Sequence, residues 1–421
     1  MVSKVIKNLI LDITYLIARR IKKSSFSKSN VSSRIIKIAI LAVGIGITSI
    51  IIAFSTGRGL QKSIYQKTAV FNGDVVISTF ENNSSRLSLN PIKINENFSS
   101  ILKGIKNIKT YQNTIYKAGL IKFNDNFEGI VFKGIDSTFN KLIFSKFIIE
   151  GRFPNVNKKN SNEIIVSQIL ANKLNLKIGD EPITFFKKDN TQAIPNQRKF
   201  KVVGIYNSDF TEFDDLYIIG SLNQIRIINK WLIDQVGSVE VFLNNSKKQN
   251  ETAANLYTKL PPEVDVITLK SRFENLFQWI ALFDLNIFII LSIMLFVGFI
   301  NVTTALLILI FERSSMIGLL KTFGAMDIQI QKIFMFSSFD IIIKGTVLGN
   351  ILGLGFYFSQ KYLKWIKLDP TNYYVSSAPV EISLLEWMFI NLSFIIICLI
   401  LLWFPSKIIS GISPSKNIRK S

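Results

Sequence analysis

The sequence predicts an α-helical membrane protein with four transmembrane helices and a large α/β (α+β) extracytoplasmic domain inserted between helices 1 and 2. Three observations support this fold class. Four apolar runs each reach about the 20 residues that the hydrocarbon core of a bilayer requires. Roughly 220 residues without such a run separate the first two, which is enough chain to bury its own core. Basic residues precede the first run and follow the last, so both termini are expected in the cytoplasm.

The composition requires both membrane-embedded and soluble parts. Of the 421 residues, 48% are hydrophobic and 34 are Phe, which is too apolar for one soluble domain. Charged residues make up 19%, which is too many for a bundle of spans alone. The net charge of +21 comes from scattered basic residues, mostly Lys, and therefore does not indicate a nucleic-acid partner.

The chain lacks the residues that most catalytic and metal sites use. It contains no His and one cysteine, Cys398, so an internal disulfide is impossible and zinc or iron–sulfur sites lose their usual ligands. It also lacks the GxxxxGK[ST] phosphate loop of P-loop ATPases. We therefore predict a non-catalytic membrane subunit with no metal and no bound cofactor, for which a partner must supply the energy for any work.

The segments before the second span are predicted in chain order. Residues 1–33 form a cytoplasmic amphipathic N-terminal helix and linker, because apolar residues at helical spacing come before the basic ones, the reverse of a signal peptide. The first span is 34–56. The periplasmic domain is 57–278, and within it strand-like stretches at 110–123 and 127–135 flank the turn Asn124-Asp125-Asn126. The second span, with an external stalk, is 279–311.

A short cytoplasmic segment at 312–332, which we call the elbow, separates the second and third spans. Met316, Ile317, Leu320 and Phe323 recur at spacings of three and four, which predicts one apolar helix face. Gly324 is expected to end this helix with a positive φ, and Asp327 to cap the next helix. On pattern alone, a simple linker back to the bilayer is the favoured interpretation.

The remaining segments are the third span at 333–358, a periplasmic connector at 359–384, the fourth span at 385–404 ended by Pro405, and a cytoplasmic tail at 405–421. Gly345, Gly349 and Gly353 repeat every four residues, which predicts a helix-packing face. Asp340 and Lys344 are one turn apart, so a structural ion pair is expected, with an ion relay as the alternative.

The elbow resembles a known signature. Its sequence from Glu312 to Ala325 is similar to the "ER..EIG.LR..GA" motif of FtsX/MacB-type ABC transporter permeases. The four-span layout with one MacB-like periplasmic core domain agrees with that family. Other stretches narrow the resemblance to the transmembrane subunit of lipoprotein-releasing systems, the LolC/LolE type. They are Gly44 to Leu60, 149–153, 163–166, 176–180, 200–205, 212–215, 378–380, 405–406 and 412–414.

The resemblance implies a function and a set of sites. The elbow would be a coupling helix that transmits the motion of an ABC ATPase subunit, and an apolar cavity would hold the acyl chains of lipoproteins taken from the inner membrane. A second permease subunit, identical or paralogous, and a periplasmic lipoprotein carrier are the other implied partners. The coupling residues would be Glu312, Arg313, Ile317, Gly318, Leu320, Lys321, Phe323, Gly324 and Ala325. The cavity residues would be Ile47, Ile51, Phe54, Phe288, Leu291 and Leu295.

Two other functions fit the same layout. One is a MacB-like exporter of small amphiphiles or peptides, although such chains usually carry a fused ATPase domain. The other is an FtsX-like mechanotransmitter that regulates a cell-wall hydrolase, although those external domains are shorter. The stretch Thr56-Gly57-Arg58 departs from the bulkier family pattern, as do the charges of Asp340 and Lys344.

Overall fold

The computed structural model describes residues 31–158, 161–187 and 195–411. The predicted N-terminal amphipathic helix lies outside this part of the chain, as does most of the predicted cytoplasmic tail. The described chain divides into two compact units. We call Lys62–Trp279 with Lys367–Ser377 the lobe, and the residues up to Gln61, Ile280–Ile366 and those from Ala378 onward the helix bundle.

The described helices are α1 Val31–Asn72, α2 Phe80–Ser85, α3 Glu96–Lys103, α4 Lys141–Phe144, α5 Gln168–Leu174, α6 Thr211–Asp214, α7 Leu222–Asn229, α8 Gln249–Lys259, α9 Leu269–Arg272, α10 Glu274–Glu312, α11 Ser314–Thr322, α12 Asp327–Leu363, α13 Pro370–Tyr373 and α14 Leu384–Ser406. The described strands are β1 Val75–Ser78, β2 Ile92–Lys93, β3 Ile108–Phe123, β4 Asn126–Ile135, β5 Ile148–Gly151, β6 Glu163–Ser167, β7 Ile183–Phe186, β8 Asn196–Lys199, β9 Lys201–Tyr206, β10 Tyr217–Ser221, β11 Gln235–Val236, β12 Ser238–Leu243 and β13 Asp265–Thr268. Turns of 3₁₀ helix occupy Ser145–Phe147, Ser246–Lys248 and Lys407–Gly411.

The lobe is built on one large mixed sheet, which confirms the predicted α/β character. Its strands run in the order β13-β1-β12-β3-β4-β10-β6-β9-β5, and β7 pairs with β3 and β8. Neighbours along this path are antiparallel except β4–β10 and β6–β9, which are parallel. The predicted hairpin is present as β3 and β4, with Asn124 at φ 56° in its turn, a conformation that Asn adopts more readily than most residues.

The hydrophobic core of the lobe joins apolar strand residues to the inner faces of the short helices. Phe132 of β4, Leu170 of α5, Ile225 of α7 and Leu256 of α8 are each fully buried in one cluster. Each such side chain contributes about 1.5–3 kcal/mol by leaving water. The sheet is therefore held by helices that are individually too short to be stable alone.

A buried ion pair joins β4 and β12 inside the lobe. Lys133 Nζ lies 2.9 Å from both carboxylate oxygens of Glu240, and both side chains are 1% exposed. The Lys133 ammonium also donates to the carbonyl of Phe71, in the last turn of α1. Helix C-terminal carbonyls lack intrahelical donors and carry partial negative charge, so the ammonium satisfies the end of α1. Burial lowers the pKa of Lys133, and the attraction of Glu240 opposes that shift.

A second buried acid lies at the end of α6. Asp214 accepts hydrogen bonds from Ser208 N–H at 3.0 Å and Ser208 Oγ at 2.7 Å, yet burial raises the pKa of its carboxyl group to about 6. Because the folded pKa exceeds the usual value of 3.8, the ionised form is disfavoured in the fold. The stabilisation from protonated Asp214 is therefore complete below about pH 4 and is lost as the pH rises to about 6.

Replacing Asp214 with Asn is expected to remove this pH dependence. The two pKa values differ by about two units, so the free energy of unfolding of the lobe should fall by roughly 3 kcal/mol between pH 4 and 6.5 in the wild type. Hydrogen exchange of β9 and β10 amides against pH measures this slope. Asp125→Asn, in the β3–β4 turn, is the control. Equal slopes in the wild type and Asp214→Asn would contradict the assignment.

Four described helices are long and apolar enough to cross a membrane: Arg34–Asn72, Glu274–Glu312, Asp327–Leu363 and Leu384–Ile409. They contain the predicted spans, but two ends differ from the predictions. α1 continues to Asn72, well beyond residue 56. Pro405 is the penultimate residue of α14, which ends at Ser406 and is followed by a turn of 3₁₀ helix from Lys407.

The three spaced glycines of α12 lie against α1. An ideal Cβ on Gly349 would fall 2.6 Å from Ile47 Cβ, and one on Gly353 would fall 2.9 Å from Ile51 Cδ1. The same atom on Gly345 would lie 2.5 Å from a valine of α1. Glycine thus allows the two helices to approach more closely than any side chain would permit.

A further close approach joins α1 to the segment before α14. A Cβ on Gly59 would lie 2.3 Å from the carbonyl oxygen of Pro379, and Glu381 N–H donates to the Ser55 carbonyl at 2.8 Å. Two stretches singled out in the sequence, Gly44 to Leu60 and 378–380, therefore touch in the fold. Gln360 anchors the start of the same segment, because its side chain donates to Ala378 O at 2.9 Å. The same carboxamide accepts from Ile366 N–H at 3.0 Å.

Replacing Gly59 with Ala is expected to displace the Pro379 segment from α1. Overpacking of this kind costs about 1–3 kcal/mol, so exchange of the Glu381 amide should accelerate by roughly 5- to 100-fold. Gly46→Ala, on the same helix, is the matched control because its nearest atom is Met294 O at an ordinary 3.6 Å. Unchanged protection of Glu381 in Gly59→Ala would refute the clash.

Candidate functional site

The elbow is a nine-residue helix followed by a tight turn, and its end is fixed by main-chain hydrogen bonds. α11 ends at Thr322, and Gly324 follows with φ 87°. Gly324 N–H donates to Lys321 O at 3.0 Å, and Ala325 N–H donates to Leu320 O at 3.0 Å. This is the Schellman pattern, in which glycine supplies the left-handed residue. The predicted positive φ at Gly324 is confirmed.

The predicted apolar stripe of α11 faces its own chain, which corrects part of the predicted docking surface. Ile317 is fully buried in the core of the helix bundle, and Gly318 is buried beside it. Leu320 and Met316 are half-buried and pack against Ile333 of α12. Ile317 and Leu320 were predicted to project toward an ATPase. Ile317 cannot do so, because an amphipathic helix buries its apolar stripe on the nearest core.

A different set of apolar side chains projects from the elbow. Phe323 is 80% exposed, and Leu319, one helical turn before it, is 52% exposed. Met326 and Ile328, at the start of α12, are 69% and 64% exposed. We call Leu319, Phe323, Met326 and Ile328 the elbow patch. Large apolar side chains grouped at one surface indicate a site of protein–protein or membrane contact.

Only Phe323 of the elbow patch was among the predicted site residues. The spacing pattern predicts a single apolar stripe, and Leu319, Met326 and Ile328 do not belong to it. The available signal was Leu319, an apolar residue that lies off the stripe containing Ile317 and one helical turn before Phe323.

The charged residues of the elbow hold the turn together. Lys321 Nζ lies 2.9 Å from Asp327 Oδ1 and donates to the Ile409 carbonyl at 3.0 Å, and its side chain is 11% exposed. Asp327 was predicted to cap α12, but Met326 is the capping residue and Asp327 is the first helical residue, where its carboxylate pairs with Lys321. Glu312, at the end of α10, is exposed.

Two other predicted coupling residues, Arg313 and Ala325, are half-buried. Arg313 is the half-buried residue between α10 and α11, and Ala325 packs against the core of the helix bundle. Among the residues that the structure describes, no group of three or more His, Cys, Asp or Glu side chains could hold a metal ion.

The predicted acyl-chain cavity must be partly revised. Ile47 and Ile51 are fully buried against the glycines of α12, so they cannot line a cavity in this conformation. Phe54 is half-buried, with the Arg58 guanidinium 5.8 Å from its ring centre. The predicted residues of α10 do reach the surface: Phe288 is 66% exposed, and Leu291 and Leu295 are half-buried.

Most of the apolar surface of α10 is uncovered within this chain. In its most apolar 18-residue window only 6% of the residues are buried, compared with 44% in α1. Large exposed side chains recur at helical spacing on one side, and they include Leu285, Phe288, Ile289, Ile293, Phe296 and Ile300. A helix this apolar requires lipid or another protein as its neighbour.

The two charges within α12 form an ion pair. Lys344 Nζ lies 2.8 Å from Asp340 Oδ2, one turn away on the same helix. This confirms the predicted pairing of the two side chains. A charge among apolar helices is least costly when an opposite charge neutralises it, which favours the structural interpretation over an ion relay.

Comparison with known proteins extends over almost the whole chain. The family model of the MacB-like periplasmic core domain matches residues 38–276, and the model of the FtsX-like permease C-terminal domain matches residues 288–414. The lipoprotein-releasing system transmembrane protein LolC of Buchnera aphidicola subsp. Schizaphis graminum (strain Sg) is 23% identical over 387 residues, which cover 89% of this chain and 91% of that protein.

Two relatives from Haemophilus influenzae are similar over the same extent. Its LolC is 22% identical over 406 residues, covering 91% of this chain and 92% of that protein. Its LolE is 18% identical over 413 residues, covering 92% of this chain and 95% of that protein. Such permeases are multi-pass proteins of the bacterial inner membrane with a periplasmic domain, and they function with an ATPase and a second permease subunit. Because the first family model spans more than half of the sequence, the chain belongs to the FtsX/MacB-type ABC transporter permease family and is close to LolC.

Proposed function

We propose that this protein is the permease subunit of an ABC transporter that extracts lipoproteins from the inner membrane and passes them to a periplasmic carrier for sorting to the outer membrane. The observation that carries the proposal is the likeness to lipoprotein-releasing LolC proteins along about nine-tenths of both chains. The elbow patch and the apolar face of α10 are the surfaces that such a subunit needs. In this arrangement both termini lie in the cytoplasm and the lobe lies in the periplasm.

The proposed ATPase contact is the elbow patch. Leu319, Phe323, Met326 and Ile328 project away from the bundle and give a partner an apolar surface to cover. Ile317, Lys321 and Gly324 act behind this surface, since they anchor and shape the turn. The partner hydrolyses ATP with Mg, and movement of the elbow passes into α10 and α12, which it joins.

The proposed substrate surface is the exposed stripe of α10 facing a second permease subunit, identical or paralogous. Phe288, Phe296 and Ile300 give it large apolar side chains that would surround acyl chains without burying polar groups. Phe54 at the outer part of α1 would border this space. Ile47 and Ile51 lie outside this proposed surface, because both are fully buried.

Depletion of the protein in its own cell tests the function. Inner and outer membranes are separated, and acylated lipoproteins are detected in each. Retention of mature lipoproteins in the inner membrane is expected. Normal sorting combined with altered tolerance to amphiphilic drugs would instead identify an exporter, and normal sorting with altered cell shape would identify a regulator of a wall hydrolase.

A further inference from the structure

A groove of about 800 Å³ opens on the lobe between β5, the end strand of the large sheet, and helix α5. Three stretches singled out in the sequence, 149–153, 176–180 and 200–205, contribute to its lining. A fourth, 163–166, lies in the same sheet, because β5 pairs with β9 and β9 pairs with β6. The turn at Gly179 is anchored to β9, because Gly179 N–H donates to Val202 O at 2.8 Å. We call this feature the β5–α5 groove.

The walls of the groove are fixed by close main-chain packing. Gly151 has φ 79°, and a Cβ there would lie 2.4 Å from Val203 O. A Cβ on Gly204 would lie 2.5 Å from Arg152 O. Arg152 in turn binds Glu163 through two hydrogen bonds of 2.8 and 2.5 Å. The strand that borders the groove is therefore held in one position.

The lining of the groove matches peptide groups. Gln168, Asn172 and Asn175 are all exposed lining residues. Gln168 and Asn172 are one turn apart, so their carboxamides lie along one side of α5, and Asn175 follows the end of the helix with φ 54°. Each carboxamide has donors and an acceptor, as a peptide bond has. Glu150 and Lys177 add one charge of each sign, and Ile149 and Ile178 add exposed apolar side chains. None of the described lining residues is aromatic. An uncharged polar chain fits this lining better than an ion or a flat aromatic molecule.

The edge of β5 offers main-chain groups of its own. In the described sheet β5 pairs with β9 alone. A register shift between Ile148 and Glu150 leaves Ile149 without a residue opposite it on β9, and its side chain is 53% exposed. An end strand of this kind is a place where an extended peptide adds by main-chain hydrogen bonds.

We propose that the β5–α5 groove binds an extended, uncharged segment of the transported polypeptide, largely through its main chain. This inference rests on the proposed function. Recognition through peptide groups does not depend on the side chains of the ligand, so one groove serves cargo proteins of different sequence. The acyl chains bind elsewhere, because carboxamides and charges interrupt the apolar side chains that line the groove.

Peptide binding to the full-length protein in lipid nanodiscs tests the groove. The probe is a fluorescent eight-residue peptide of Ser, Asn and Gly with blocked ends, together with the same peptide N-methylated at alternate amides. We expect Asn172→Leu and N-methylation each to weaken binding at least fivefold. Asn255→Leu, at an exposed carboxamide on α8, is the matched control and should bind as the wild type does. Equal affinity for both peptides, or no effect of Asn172→Leu, would overturn the proposal.

A release assay separates this inference from the proposed function. With the ATPase partner present, wild-type protein is given a diacylated Cys amide or a diacylated Cys that carries the same eight residues. Asn172→Leu should slow release of the second substrate and leave the first unchanged. Release of both substrates at wild-type rates by Asn172→Leu would refute the groove alone. Failure of the wild type to release either substrate would refute the proposed function, and the binding assay would still decide the groove.

Discussion

Replacing Phe323 with Asp is expected to abolish co-purification of the ATPase subunit while the permease remains folded. The ring is 80% exposed, so its removal leaves no cavity in the bundle, but a carboxylate in the covered interface would lose its water. Central aromatic contacts of this kind typically contribute 2 kcal/mol or more to binding, about a 30-fold change in affinity, and the charge adds to that loss. Pull-down of the ATPase with tagged permease measures the effect.

Two further variants make this result specific. Leu142→Asp, at an 83% exposed position of the lobe, introduces the same charge and should leave the complex intact. Ile317→Asp should instead destabilise the bundle itself, because it places a carboxylate in a fully buried site. Normal ATPase recovery with Phe323→Asp would exclude the elbow patch as the docking surface.

Replacing Lys133 with Met is expected to destabilise the lobe by about 3–5 kcal/mol. Met fills much the same volume, but Glu240 would remain buried without its cation, and removal of one partner of a buried pair has this magnitude. The carbonyl of Phe71 would also lose its ammonium donor. Hydrogen exchange of β4 and β12 amides in the full-length protein measures the change in opening free energy.

The double variant Lys133→Met with Glu240→Gln identifies the cause. In the wild type Tyr116 and Gln112 donate to different oxygens of Glu240. A neutral carboxamide can accept from Gln112 through its single oxygen, and its amino group can donate to the Tyr116 hydroxyl. The double variant should therefore recover more than half of the loss, because no charge stays buried. A double variant as unstable as Lys133→Met would show that the missing packing or the helix end, rather than the unpaired charge, is responsible.

The parts of the fold that depend on local pattern were predictable from sequence. The apolar runs, the β3–β4 hairpin, the positive φ of Gly324 and the Asp340–Lys344 pair each follow from residues close together in the chain. The family could be recognised for the same reason, because the elbow signature is one continuous stretch. The wider assignment of coupling and cavity residues stays a prediction.

What sequence could not supply was the direction in which each side chain faces. Ile317 and Phe323 belong to one helical stripe by spacing, but α11 ends at Thr322, so Phe323 leaves the stripe and turns outward. Ile47 and Ile51 look like ordinary span residues until Gly349 and Gly353, some 300 positions later, are found against them. A contact between residues this far apart in the chain cannot be predicted from the periodicity of a short stretch of sequence.

The bond between Lys321 and the Ile409 carbonyl has a consequence for the order of biosynthesis. The two residues are 88 positions apart, and Ile317, Leu402 and Ile409 belong to one buried cluster. The inner side of the elbow therefore lacks part of its support until the last apolar helix has left the ribosome and joined the others. A nascent chain would therefore hold the elbow patch in its final position only after Leu402 and Ile409 have been synthesised and packed.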